Sequence, residues 1–288
     1  MLNRSLAERH PCFAEGRPNN KGRIHLPVSP SCNIACKFCS RVPDEYKEHP
    51  GVASKVISPQ EAVEVVRKSL ELCPDITVAG IAGPGDTLAT PHALETFRLV
   101  GREFPDIIKC MSTNGLKLPQ KADEIIEVGI DTLTVTVNAV DPLILAELCG
   151  GIVWQGEYLT GVKAAEILIR NQLEGIQRVT DAGITVKINT VLVPEINGEH
   201  IEEIAETVAD LGVHIYNLIP LIPRHELAHC KEPDCSQIDA ARRVAEQHVQ
   251  VFRHCQHCRA DSIGIPGQSE FRNQVYNKLE AADTFSHG

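Results

Sequence analysis

Aromatic side chains are scarce in this chain: 288 residues carry one Trp, four Tyr and seven Phe. That scarcity argues against a stacking platform for single-stranded nucleic acid or polysaccharide. Cations are also in deficit, with 28 Lys and Arg against 38 Asp and Glu, for a formal charge of -10. No run of Lys or Arg stands out, so a groove that tracks phosphates is not expected. The segment from Met1 to Pro11 is polar and charged and has no apolar stretch of the kind a secretory leader carries. No uncharged apolar window approaches membrane-spanning length. Internal repeats and low-complexity segments are missing too. These absences predict a cytoplasmic chain that meets small molecules or proteins, with no membrane and no nucleic acid among its partners.

Cysteine is what the sequence does have: eleven of them, at 12, 32, 36, 39, 73, 110, 149, 230, 235, 255 and 258. Without an export signal, disulfides explain them poorly, and metal binding or catalysis explains them better. The odd count and the tight clusters agree with that.

Short β-branched runs alternate with amphipathic segments from Arg23 onward. Strands are predicted at Arg23–Val28, Ile76–Ile81, Ile107–Met111, Thr132–Val137, Ile184–Val193 and Val213–Ile219. Helices fall between them near 59–72, 91–103, 119–128, 162–182 and 199–210. Ser58 to Glu61 has the shape of a capping box with Pro at the first helical position. Six βα units in succession imply an α/β fold with a parallel sheet. Six is fewer than the eight of a closed barrel, so the expected fold is a partial, open (β/α)6 TIM-type barrel. The organisation expected is an N-terminal extension over 1–21 carrying Cys12, the barrel over 22–222, and a C-terminal extension over 223–288 with a helix near 237–254. Ligands of such folds sit at the C-terminal strand ends. Cys32 follows the first strand, Gly83 to Asp86 the second, Asn114 the third, Asn138 the fourth, and Asn189 lies near the end of the fifth.

The strongest chemical signal is Cys32, Cys36 and Cys39, three thiols within eight residues. Structural zinc usually takes four ligands, and this motif supplies three. A [4Fe–4S] cluster held by three cysteines keeps one iron open. CxxxCxxC directly after the first strand of a βα barrel resembles the radical S-adenosylmethionine (SAM) superfamily. The resemblance implies that the open iron chelates SAM and that an electron from the cluster yields a 5′-deoxyadenosyl radical, with Phe38 beside the adenine. It also gives the Gly-rich stretch containing Gly80, Gly83, Pro84, Gly85 and Asp86 a role in holding the SAM amino group, although the residues alone also fit a tight turn. Asn114, Asn138 and Asn189 are candidates for the ribose or carboxylate, with local turn bonding as the alternative for each. His25, in an apolar strand, and Cys110 read singly as core residues.

Taken together, several segments resemble the NifB family, maturases of the nitrogenase iron–molybdenum cofactor: Arg23 to Pro30, Cys32 to Cys39, His49 to Val52, Ala79 to Asp86, Lys109 to Leu116, Asn189 to Asn197, Asn217 to Pro220 and His254 to Ile265. They span roughly residues 10 to 265, and the length matches short archaeal-type members without a NifX-like domain. The resemblance implies a SAM-binding [4Fe–4S] cluster on Cys32, Cys36 and Cys39. It implies two auxiliary [4Fe–4S] clusters, one on Cys12, Cys255 and Cys258, the other on His25 and Cys110. Family members usually add a cysteine where this chain has Asp44, beside Glu45, so the last cluster would rest on a harder carboxylate ligand. The implied activity is fusion of the two auxiliary clusters into an eight-iron, nine-sulfur core around a carbide. SAM would serve both as methyl donor and as radical source. The implied partners are an iron–sulfur cluster donor, a reductant such as ferredoxin, and a scaffold or carrier of the NifE–NifN or NifX type. Two competing readings are a radical SAM maturase acting on a peptide or pterin precursor and a non-catalytic iron–sulfur scaffold.

Overall fold

The computed structural model describes residues 4–13, 20–40 and 50–276; Asp44, Glu45 and His49 lie outside them. The strands, in chain order, are β1 (Gly22–His25), β2 (Ile34–Cys36), β3 (Ile76–Ile81), β4 (Ile108–Thr113), β5 (Thr132–Thr136), β6 (Cys149–Trp154), β7 (Glu157–Leu159), β8 (Thr185–Leu192), β9 (Ile215–Pro220) and β10 (Ile263–Gly264). The main sheet has the order β10-β1-β3-β4-β5-β8-β9. Its strands from β1 to β9 are parallel neighbours, while β10 runs antiparallel to β1. β9 does not return to pair with β1, so the six βα units form the expected partial barrel.

Local chemistry explains why the elements start where they do. Helix Pro59–Leu72 opens on a complete capping box: Glu61 N–H donates to Ser58 Oγ at 3.2 Å, and Ser58 N–H donates back to Glu61 Oε2 at 2.7 Å. Its apolar stripe, Ala62, Val65 and Val66, meets the outer face of the sheet together with Phe97 and Val100 of helix His92–Glu103. Helix Leu118–Val128 ends on Gly129 in the left-handed region at φ 70°. Helices Gly161–Asp181 and Ile201–Asp210 complete the outer layer. Among the described residues, no helix is long and apolar enough to cross a membrane.

Several expected boundaries are corrected. The helix expected over 237–254 is Cys235–Ala245. It stops because the next residues are needed as an edge: Tyr216 N–H donates to Gln250 O and Phe252 N–H to Tyr216 O, both at 2.8 Å, beside β9. β1 ends at His25 rather than Val28, since Pro27 has no N–H for the ladder. β4 runs on past Met111 to Thr113. The 199–210 helix begins as a 3-10 turn over Gly198–His200. Helix Pro142–Leu148 and the β6–β7 hairpin were not expected. Asp141 caps that helix by accepting from Leu143 N–H at 2.7 Å, and the hairpin turns on Gln155 and Gly156 at φ 52° and 85°. The hairpin joins β2 in a second sheet of order β2-β6-β7.

Ser58→Ala should remove the reciprocal cap without touching the cavity described next. We expect a loss of about 1 kcal/mol of folding stability, read by urea unfolding, with cysteine reactivity unchanged.

Candidate metal centre

Successive side chains of a strand point to opposite faces. Here Ile24, Ile81, Met111, Leu133, Val135, Val186 and Ile188 point outward into the apolar layer under the helices. The alternate positions, among them His25, Gly80, Cys110, Thr136, Lys187, Asn189 and Asn217, point inward and line a cavity of about 390 Å³. Cys12, Cys32, Cys36, Cys39, Cys255 and Cys258 line the same cavity. The structure therefore gathers every described residue expected to bind iron into one cavity, from segments that are far apart in sequence; Asp44 lies outside the described residues. All eleven cysteines are thiols, with no disulfide among them. Among the described residues, no three Cys, His, Asp or Glu side chains are grouped as a single metal ion would need. The donors ring an open volume instead.

The Cys32 loop is fixed by main-chain contact with the Gly-rich loop. Gly85 N–H donates to Ser29 O and Asp86 N–H to Ser31 O, both at 2.9 Å. A Cβ on Gly85 would lie 2.0 Å from Ser31 O, so only glycine permits this approach. Asp86 is buried and spends its carboxylate inside the protein: Oδ1 accepts from Asn114 N–H at 2.6 Å and Thr113 Oγ1–H at 2.9 Å, and Oδ2 from Leu88 N–H at 3.0 Å. Burial raises its pKa above the ordinary carboxylate value, and the three donors oppose that rise. Asn114 then reaches across, its Nδ2 donating to Asn33 Oδ1 at 2.7 Å and lying 3.7 Å from Cys32 Sγ. Cys36 is held from the other side, opposite Cys149 where β2 pairs with β6. Phe38 packs against Leu148, Val193 and Leu221 at the cavity mouth.

The other two asparagines line the cavity but also bind the protein. Asn138 Oδ1 accepts from Val191 N–H at 2.9 Å, and Asn189 Oδ1 accepts from Asn217 Nδ2 at 3.0 Å. Gly80 sits directly beside His25 in register, and a Cβ there would come within 3.0 Å of the imidazole Cδ2.

His25 has one ring nitrogen tied to the backbone and the other left for the cavity side. Its Nδ1 lies 2.6 Å from Arg259 O, a pure acceptor, so the proton sits on Nδ1 and the lone pair on Nε2. Burial, with help from the charge of Arg23, lowers its pKa to about 4, so the ring is neutral at physiological pH. His10 has the opposite tautomer: its Nδ1 accepts from Cys12 N–H at 3.1 Å, which places the proton on Nε2. Burial pushes the Cys12 thiol up to about 12, and it also raises Cys110. Both thiols are therefore protonated at physiological pH. Cys258 Sγ receives Arg23 Nη2–H at 3.3 Å.

A buried ion pair anchors this second set. Arg259 and Asp261 are 2% and 1% exposed and meet at 2.8 Å, and Asp261 Oδ2 also accepts from Ser54 N–H at 2.6 Å. These bonds hold the Asp261 carboxyl below its ordinary range against the burial that would raise it. Cys73 is buried at a helix end and packs in the core; Cys230 and Cys235 lie away from the cavity wall. Cys149, unassigned from sequence, does line the wall, with Sγ 3.4 Å from Gly151 O. Lys187, Arg23, His10 and Asn217 were missed by sequence reasoning. A lysine two residues before Asn189 in an alternating strand was the available signal.

Comparisons with known proteins give the family. The radical SAM superfamily profile matches residues 26–208. The FeMo cofactor biosynthesis protein NifB of Methanocaldococcus jannaschii is 42% identical over 96% of this chain and 95% of its own length. The chain belongs to the NifB family. The NifB protein of Chlorobaculum tepidum is 38% identical over 95% of the chain but 65% of its own length, so some members of the family are longer. Membership makes the chain a radical SAM enzyme, a class that uses a [4Fe–4S] cluster with SAM. Among solved structures, Streptococcus suis SuiB bound to S-adenosylmethionine shares the fold at a TM-score of 0.59 and 12% identity. It covers 90% of this chain, which spans about half (53%) of that one.

Asp261→Ala would strand a buried guanidinium and free the segment carrying Cys258. We expect the metal-free protein to lose about 3 kcal/mol or more, measured by chemical denaturation.

Proposed function

We propose that the chain is an enzyme of FeMo cofactor biosynthesis that fuses two [4Fe–4S] clusters, bound as substrates, into an eight-iron, nine-sulfur cluster around a carbide. The observation that supports this reading best is the convergence of Cys12, His25, Cys110, Cys255 and Cys258 on the same cavity as the Cys32–Cys39 motif. The family relationship supports it from the other side.

In this reading Cys32, Cys36 and Cys39 hold the resident cluster, the donor set being three soft thiols with an open side toward the cavity. When bound, that cluster supplies the electron that cleaves SAM to the 5′-deoxyadenosyl radical. Asn114 orients Cys32, and the Asp86 and Gly85 contacts fix the loop below it. Gly80, Pro84, Gly85, Asn138, Asn189 and Phe38 line the volume that SAM would occupy. The substrate clusters sit deeper. Cys12, Cys255 and Cys258 hold one; Cys110 and Nε2 of His25 hold the other, with Asp44 or Glu45 as a harder third ligand. Weak holding suits a cluster that has to move and merge. One SAM gives its methyl group to a substrate sulfide and leaves as S-adenosylhomocysteine. A second SAM yields the radical that removes hydrogen from that methyl carbon. Loss of the remaining protons leaves carbide, and one sulfur from an external donor, brought to the sulfide level by the reductant where the donor is oxidised, completes the core. A reductant such as ferredoxin, a cluster donor and a carrier of the NifE–NifN or NifX type are the partners this chemistry requires. A peptide or pterin maturase has no need of the ligand tautomer set at His25, which favours the cluster reading.

Under anaerobic reduction with SAM, the reconstituted protein should release S-adenosylhomocysteine and 5′-deoxyadenosine together. Cys36→Ala should reduce 5′-deoxyadenosine to background. Cys255→Ala should still cleave SAM but form no eight-iron product; product formation by that variant counts against the ligand assignment. Asp44→Cys should retain the His25–Cys110 cluster several-fold longer against an iron chelator. Unaltered iron retention and product yield would remove the idea of a deliberately weak ligand.

A further inference from the structure

Lys187 is a buried lysine with no carboxylate partner among the described residues. It lies on the inward face of β8, 8% exposed, and its Nζ stands 5.0 Å and 5.7 Å from the ring centres of Phe13 and Phe252. Among the described residues it forms no ion pair with a carboxylate and no hydrogen bond. Aromatic faces attract a cation, but they carry no net charge to neutralise it. An ammonium taken out of water needs an anion or several acceptors. It lines the same cavity as Cys12, His10, His25 and Cys110, and its charge works against protonation of both histidines. A second donor stands beside it. His10, 1% exposed, carries its proton on Nε2, and that buried atom has no partner. Both residues line the cavity that Cys12, Cys255 and Cys258 also line. An iron–sulfur cluster on three thiolates is an anion, and its sulfides accept hydrogen bonds.

We propose that Lys187, together with the Nε2–H of His10, is the cationic seat of the cluster held by Cys12, Cys255 and Cys258, where it donates to that cluster's sulfides and offsets its negative charge. The proposal rests on the ligand assignment given above. Lys187 is in this sense a positioning residue: it sets how tightly and at what potential one substrate cluster waits. Phe13 and Phe252 keep the ammonium from retreating to solvent. The Arg23 donor to Cys258 Sγ acts on the ligand, whereas Lys187 and His10 act on the inorganic sulfide.

The test compares full-length wild type, Lys187→Met and Lys187→Arg, each metal-free and after anaerobic reconstitution with iron and sulfide. Met has similar volume and no charge. Metal-free Lys187→Met should melt above wild type, because an uncompensated buried charge has gone. Once reconstituted, its auxiliary cluster should titrate at a more negative midpoint potential and lose iron to a chelator several-fold faster. The potential of the Cys32–Cys39 cluster should not move. Lys187→Arg should restore most of both properties. Equal potentials and equal iron loss in Lys187→Met and wild type overturn the proposal. So does a destabilised or unfolded metal-free Lys187→Met, which would make the lysine a structural residue. A wild-type protein that binds iron only at Cys32–Cys39 overturns the ligand assignment itself, and this inference with it.

Discussion

A pleated strand cannot hide both its faces in the same way, and the site grows from that constraint. In a closed eight-stranded barrel the inward side chains meet and fill the centre. Six parallel strands leave the sheet open, so the inward face need not be packed. The outward face still has to be apolar, because the helices cover it. The inward face is therefore free to carry a histidine, a thiol, a lysine and several amides where a barrel core would carry Val and Leu. Those amides satisfy one another or the backbone: Gln172 Nε2 donates to Asn114 O at 2.7 Å and Thr136 O at 2.8 Å, and Asn197 ties Asn138 to Val191. The polar lining thus holds the strand ends together while leaving the volume between them open.

Two fastenings position the two halves of the cavity, and they share no residue. The Gly85–Ser31 approach and the buried Asp86 carboxylate set the first motif. The Arg259–Asp261–Ser54 contacts set the C-terminal thiols, and the Arg259 carbonyl also fixes the His25 tautomer. One residue in the second fastening thereby orients ligands of both proposed substrate clusters. Under the proposed function, this division suits one cluster kept as a tool and two treated as material.

Features set by neighbours in sequence were legible before the structure. The capping box at Ser58 and Glu61 gave helix 59–72 its limits, and the alternation of β-branched runs with amphipathic segments gave the six βα units. The CxxxCxxC motif is also local. What depended on tertiary partners was not legible. The helix expected to reach 254 stops at Ala245 because β9 takes residues 250 to 252 as an edge partner, which no local preference announces. The β6–β7 hairpin makes sense only beside β2. Asp86 read as a group for SAM, yet its oxygens serve Thr113, Asn114 and Leu88, partners found only once the loops close. His25 and Cys110 looked like core residues singly. That they line one cavity with Lys187 appears only when the sheet curls.

The antiparallel pairing of β10 with β1 has a consequence for how the protein is made. Chains leave the ribosome amino end first, and domains fold as they emerge. The wall that carries Cys255 and Cys258 is stitched to the earliest strand by Arg23 and Ile24 against Gly264 and Ile263, some 240 positions later in translation. The nascent polypeptide can thus fold its first motif and most of its sheet while the thiols opposite Cys12 are still unsynthesised or inside the exit tunnel. The half of the cavity that carries Cys255 and Cys258 is thus completed later in translation than the segment that carries Cys32, Cys36 and Cys39.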